Sequence, residues 1–230
     1  MTSPAAAPLP ASRHVLFDVD GTLIDAVANQ RRVWETWAAR YGLDADEVQA
    51  VALRTRPMET FAAVAPDHDP HACLAALHEL EDEDVRSGVY EAFDGAAELL
   101  TALPPGSWGL VTSNYEHRVR GRFDRTGLPV PPVLVDAAAA TEGKPSPAPY
   151  LLGARRLGAT PARCLVVEDA PSGIRSGLRA GMTVWSVNAP APAAGAHRHF
   201  PTLREAVPAI LAFVASTAAP THPAPTPPPA

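Results

Sequence analysis

The chain predicts an α/β protein, a parallel-sheet core into which a small helical domain is inserted after the first strand. Three observations carry this expectation. Five short apolar runs, rich in Val and Leu, read as strands covered on both faces. From residue 91 onward they alternate with helical patterns, as parallel strands joined by right-handed crossovers do. Between residues 24 and 90 the alternation stops and no convincing strand occurs.

The first run, residues 14–20, reads HVLFDVD and predicts a buried strand that ends in carboxylates. In the stretch that follows, Trp34, Trp37, Ala38 and Tyr41 recur at helical spacing, as do Leu74, Leu77 and Leu80. The acidic run Glu79, Glu81, Asp82, Glu83, Asp84 reads as a solvated helix face, with metal binding the lesser alternative. Helices are expected over 94–103, 116–126, 147–157 and 172–180, and the remaining strands over 108–113, 132–136, 164–169 and 182–188. Gly127, Gly158 and Gly181 stand just past three of those helices, where a left-handed end favours glycine. The result is a Rossmann-like core over 13–23 and 91–215 with a helical cap over 24–90. The Ala/Pro-rich residues 1–12 and the Pro-rich residues 216–230 are expected to be disordered.

Bulk properties narrow the class. A length of 230 residues suits one large domain, or a core with an insertion, and 47% apolar residues is ordinary for a globular protein. A net charge of -6 argues against a nucleic-acid partner. No run approaches membrane-spanning length, and the N-terminus lacks a basic segment followed by an apolar one. Two cysteines are too few for a disulfide scaffold or a zinc cluster. Together these predict a cytoplasmic protein with no membrane or nucleic-acid partner. A monomer is the default, since nothing in the sequence reports the oligomeric state.

The chemistry gathers at strand ends. Asp18 and Asp20, two residues apart, share a face if the strand continues through them, and their mutual repulsion calls for a cation or a shared proton. The run ending at Val111 leads into Thr112, Ser113 and Asn114, whose hydroxyls and amides suit a phosphate or carboxylate or, equally, cap a helix. Lys144 is the only lysine beside 18 arginines and sits in a GKPSP loop, where it is a point charge aimed into a cleft or a chance surface lysine. Glu168 and Asp169 end another apolar run. With Asp18 they would make the oxygen-rich shell that Mg²⁺ favours, or Asp169 caps the next helix. Asp25 reads as a helix cap near the hinge of the insertion.

DVDGTLID, VTSN, GKPSP and VVEDAPSG, in that order and each after a strand, resemble the four motifs of the haloacid dehalogenase superfamily of Mg²⁺-dependent phosphohydrolases. The RCLVVEDAPSGI texture is similar to its small sugar- and polyol-phosphatases. The resemblance implies that Asp18 is the nucleophile, forming an aspartyl-phosphate, and that Asp20 is the general acid and then the general base. It further implies phosphoryl contacts from Thr112, Ser113, Asn114 and the Gly21 amide, and that Lys144 holds Asp18 and the phosphoryl oxygens. Mg²⁺ would be bound by Asp18, Asp169, the Asp20 carbonyl and, directly or by orientation, Glu168. The helical insertion would close over a small phosphorylated metabolite, with Arg56 of the run Arg54-Thr55-Arg56-Pro57 as a substrate contact or an ordinary surface arginine. A phosphomutase of the same fold is the main alternative. Such mutases commonly carry a Thr and a His where this chain has Ala26-Val27-Ala28-Asn29-Gln30, which favours hydrolysis. The insertion has no lysine for Schiff-base chemistry, and a dehalogenase would not need the Glu168-Asp169 pair. A non-catalytic protein that binds a phosphorylated metabolite is the remaining alternative.

Overall fold

The computed structural model describes residues 12–53, 55 and 57–216. Strand β1 (His14–Phe17) leads through β2 (Ile24–Asp25) into four helices, α1 (Val27–Arg40), α2 (Ala45–Ala52), α3 (Pro57–Val64) and α4 (Pro70–Ser87). The chain returns through β3 (Glu91–Ala92) and continues as α5 (Ala96–Ala102), β4 (Trp108–Val111), α6 (Glu116–Thr126), β5 (Leu134–Val135) and α7 (Ala148–Arg156). It ends with β6 (Cys164–Glu168), α8 (Pro171–Arg179), β7 (Thr183–Val187), β8 (Arg198–Phe200) and α9 (Leu203–Ala215).

The predicted α/β, Rossmann-like fold is present. Six strands form one parallel sheet in the order β5-β4-β1-β6-β7-β8. Alternating side chains divide its two faces. Val15, Phe17, Leu110, Leu165 and Val167 pack against α5, α6 and α9, while Leu16, Val111, Val166 and Val184 pack against α7 and α8. That two-sided burial is why the strands read as continuous apolar runs. The five expected strands are all there but shorter, because their polar ends leave the hydrogen-bonded ladder. Three short strands were not anticipated: β2, which opens the stretch expected to hold none, β3 just after it, and β8, which is three residues long, on the sheet edge, and carries an exposed arginine.

Helices α1 to α4 enclose a separate core of Val33, Trp37, Ala38, Val48, Phe61, Cys73 and Leu77. Trp37 and Phe61 stack within it at 5.1 Å between centroids, and the Trp37 indole N–H donates to the Cys73 carbonyl. The antiparallel pair β2–β3 joins the two chain crossings at the base of this unit. Asp25 accepts from the Val27 amide there, but it is not the helix cap that the sequence suggests, because Ala26 holds that position and no side chain caps α1.

The acidic run of α4 departs from the solvated face that its charge pattern suggests. Glu81 and Asp82 pair with the buried Arg118 of α6. Asp84 is buried and accepts from Asn29, Arg32 and Tyr90. The sequence shows those charges but not the partners that lie far along the chain.

Candidate active site

The sheet reverses its winding at β1, which lies between β4 and β6, and in open α/β sheets ligands bind at such switch points beyond the carboxyl ends. Asp18 follows β1, Thr112 follows β4, and Glu168 ends β6, so three adjacent strands deliver these side chains to one crevice. Lys144 enters from the loop between β5 and α7. Asp18, Asp20, Thr112, Ser113, Asn114, Lys144 and Glu168 all line one cavity of about 660 Å³. Its far wall comes from the helical insertion: Gln30 of α1, Pro57, Met58 and Glu59 of α3, and His78 and Glu81 of α4.

Lys144 is buried, which removes the surface-lysine reading. Its ammonium donates to Asp18 Oδ1 at 2.6 Å, to Glu168 Oε1 at 2.7 Å and to the Val111 carbonyl at 3.0 Å. Burial works against its charge, but the Asp18 and Glu168 carboxylates outweigh this and hold its pKa above the ordinary lysine value.

Glu168 is fully buried, and both its oxygens are occupied. Oε1 also accepts from the Tyr150 hydroxyl at 3.0 Å, and Oε2 accepts the Asp169 and Ala170 amides at 3.1 and 3.0 Å. The Gly173 backbone lies against this carboxylate, so close that a Cβ there would stand 1.5 Å from Oε1. Asp169 accepts from Thr22 Oγ1 at 3.2 Å. It is not the helix cap that the sequence allowed, because Ala170 holds that position and no side chain caps α8.

Asp18, Glu168 and Asp169 bring carboxylate oxygens within 4.8 Å of one another. Burial and the neighbouring carboxylates raise the Asp18 pKa well above the ordinary range, against the pull of Lys144. Burial and the Glu168 charge push Asp169 up to about 7, opposed by the Thr22 hydrogen bond. Three carboxyl groups around one ammonium leave an excess of negative charge, all on hard oxygen donors. That donor set fits a divalent cation.

Asp20 faces the other side of the crevice. Its Oδ1 is paired with the buried Arg122 of α6, and its Oδ2 accepts from Asn114 Nδ2 at 3.2 Å. The Thr112 hydroxyl accepts the Asn114 amide at 3.0 Å and shapes the turn into α6. Gly21 differs from expectation. Its amide donates to the Ile24 carbonyl at 2.8 Å, and it does not line the cavity. Its positive φ of 91° and its close approach to Asp169 account for a glycine at this position. Arg56 lies outside the described residues, as do residues 1–11 and 217–230.

Three site residues escaped the sequence reading. Tyr150 sits in an apolar helix and reads as core. Arg118 and Arg122 are two of four arginines in a polar helix that reads as a surface element. Their spacing of four on one face was the available signal.

The model of the haloacid dehalogenase-like hydrolase family matches residues 13–181. Over 181 residues the chain is 41% identical to hexitol phosphatase A of Escherichia coli, covering 76% of this chain and 83% of that protein. It is 32% identical over 182 residues to glycerol-1-phosphate phosphohydrolase 2 of Saccharomyces cerevisiae, covering 74% of this chain and 72% of the relative. The structure of CbbY from Rhodobacter sphaeroides in complex with phosphate shares the fold, with a TM-score of 0.72 at 24% identity over 85% of this chain and 96% of that one. The chain belongs to the haloacid dehalogenase-like hydrolase family. Its class is that of an enzyme, a phosphoric monoester hydrolase. No helix among the described residues is long and apolar enough to cross a membrane.

Proposed function

We propose that this enzyme is a Mg²⁺-dependent phosphatase of a small phosphorylated sugar or polyol, working through an aspartyl-phosphate on Asp18. The observation that carries the proposal is the convergence of Asp18, Asp20, Thr112 and Lys144 on one cavity roofed by the helical insertion. The hexitol phosphatase relative supports the substrate class.

The reaction divides into two displacements at phosphorus. A carboxylate oxygen of Asp18 attacks, the ester P–O bond breaks, and Asp20 gives its proton to the departing alkoxide. A water then attacks the acyl phosphate while Asp20 takes back a proton. The Asp18–phosphorus bond breaks, and inorganic phosphate leaves. Lys144 offsets charge on Asp18 and the phosphoryl oxygens, and Thr112, Ser113 and Asn114 orient the transferring group. A bound Mg²⁺, held by Asp18, Asp169 and the Asp20 carbonyl with Glu168 beside them, would neutralise the phosphate dianion. The insertion over residues 24–90 acts as a cap that excludes water and reads the leaving group. A cavity of this size, with Gln30, His78 and Glu81 among its cap-side residues, suits a short hydroxylated chain. The enzyme then needs no partner beyond its metabolite and metal.

The test is phosphate release from hexitol phosphates, glycerol phosphates, sugar phosphates and nucleotides, with and without Mg²⁺. Mg²⁺-dependent release fastest from a hexitol or glycerol phosphate supports the proposal. Isomerised phosphate ester without free phosphate would establish a mutase. No chemistry on any ester would count against the phosphatase reading and leave a mutase that needs its bisphosphate activator or a binding protein.

A further inference from the structure

Helix α6 carries three arginines on one face, Arg118, Arg122 and Arg125, at the spacing of four and then three that aligns them along a helix. Two of them grip the insertion. Arg118 pairs with Glu81 and Asp82 of α4, and Arg125 donates to the Val85 and Arg86 carbonyls near the end of that helix. Arg122, between them, turns the other way and pairs with Asp20. Its side chain is almost completely buried, and its Nε has no hydrogen-bond partner. Burying a guanidinium is costly unless it is paired, and here the pairing carboxylate is Asp20.

Its surroundings hold it in place. Arg122 lies over the Tyr90 ring at 5.3 Å, in the segment by which the chain leaves the insertion. The Tyr90 hydroxyl donates to Asp84, which also accepts from Asn29 and Arg32 of α1. The outgoing and returning crossings of the insertion therefore meet at Asp84, one side chain away from Arg122. The second donor to Asp20, Asn114, stands just before α6. The groups that orient the Asp20 carboxylate thus come from the helix that grips the cap and from the turn that leads into it.

We infer that Arg122 is a positioning residue for Asp20: it sets the carboxylate at the cavity wall where the leaving-group oxygen must arrive, and ties that setting to the seat of the cap on α6. The inference rests on the proposed acid–base role of Asp20. It does not require Arg122 to touch the substrate: Arg122 lines not the cavity that holds Asp18, Asp20 and Lys144 but a neighbouring one of about 200 Å³ that shares Gln30, Glu81 and Asn114 with it.

The two roles separate by leaving group. An alkyl phosphate such as mannitol 1-phosphate expels a strongly basic alkoxide and needs a proton from Asp20. p-Nitrophenyl phosphate expels a stable phenolate and needs little help. The kcat/KM value reports steps through phosphoryl transfer to Asp18. The experiment compares kcat/KM for both esters in wild type, Asp20→Asn, Arg122→Lys and Arg122→Met, with melting curves to establish folding. The expected result is that Arg122→Met lowers the alkyl value at least about tenfold more than the aryl value, with Asp20→Asn showing the same bias more strongly. Arg122→Lys should fall between wild type and Arg122→Met, since an ammonium replaces the charge but not the fork. If Arg122→Met does not fold, Arg122→Lys alone must show the bias. Equal losses on both esters in the Arg122 variants, with the bias retained in Asp20→Asn, would overturn the inference and leave the acid–base reading standing. No bias in Asp20→Asn would overturn that reading, and the inference with it.

Discussion

The Lys144 ammonium lies 2.6 Å from Asp18 Oδ1, on a buried lysine held between two carboxylates at the cavity wall. A compact ammonium can meet Asp18, Glu168 and the Val111 carbonyl at once. A planar guanidinium is wider and cannot. Lys144→Arg should therefore lower kcat by about 10²–10³, the range seen when a preorganised donor at a reacting oxygen is lost. Lys144→Met should do more harm, leaving buried carboxylates unpaired at a cost of about 3–5 kcal/mol in stability. Urea unfolding and steady-state phosphate release measure the two effects. Near wild-type kcat in Lys144→Arg would show that the charge alone matters.

Asp18→Asn keeps the shape of the proposed nucleophile and an oxygen for Lys144, but removes one of three crowded carboxylates. Turnover should fall by at least about four decades, at about 1.36 kcal/mol per decade. The melting temperature of the metal-free protein should stay level or rise, because burial and its acidic neighbours make the ionised Asp18 unfavourable. Intact-mass analysis with substrate should show a trapped phosphoryl adduct only in variants that retain Asp18. Turnover at the wild-type rate in Asp18→Asn would remove Asp18 from the mechanism.

Much of this was legible in the chain because parallel strands buried on both faces leave continuous apolar runs, and the chemistry sits where those runs stop. Asp18, Thr112 and Glu168 each follow such a run directly, so their convergence follows from the sheet order. Lys144 stood out because this chain otherwise uses arginine throughout. Arg122 was hidden by the same habit: one arginine among 18 shows at most its spacing of four from Arg118, and its partner lies 102 residues away. The acidic run of α4 misled for a related reason. A helix pattern reports charge, while its burial is decided by the helix that docks against it, here α6 with Arg118.

Gly173 bears on Glu168 through space alone. An alanine Cβ would stand 1.5 Å from Oε1 and 2.0 Å from Cδ of Glu168. The carboxylate cannot yield, because Lys144, Tyr150 and two backbone amides hold it. Gly173→Ala should cost at least about 2 kcal/mol and abolish measurable turnover. Gly143→Ala is the control: it adjoins Lys144, yet a Cβ there meets nothing within 4 Å. Equal urea midpoints for the two variants would mean that α8 can move off Glu168 freely.

The carboxyl cluster also makes stability depend on pH in a stated direction. Asp18 and Asp169 both have folded pKa values above the ordinary carboxyl range, Asp169 at about 7. Between roughly pH 4, where unfolded carboxyls ionise, and pH 7, the folded chain therefore binds more protons than the unfolded one. Stability conferred by these two groups is full below that window and is lost as pH rises through it. A divalent cation takes the place of the protons and should stabilise more as the carboxylates ionise. Melting temperatures in chelator should fall from pH 5 to pH 8, and the increment from millimolar Mg²⁺ should be larger at pH 8 than at pH 5. Asp169→Asn should reduce both the fall and the Mg²⁺ increment, since it removes an acid whose charge is costly and whose oxygen is a proposed ligand. An increment that does not change with pH, or that survives intact in Asp169→Asn, would place the cation elsewhere.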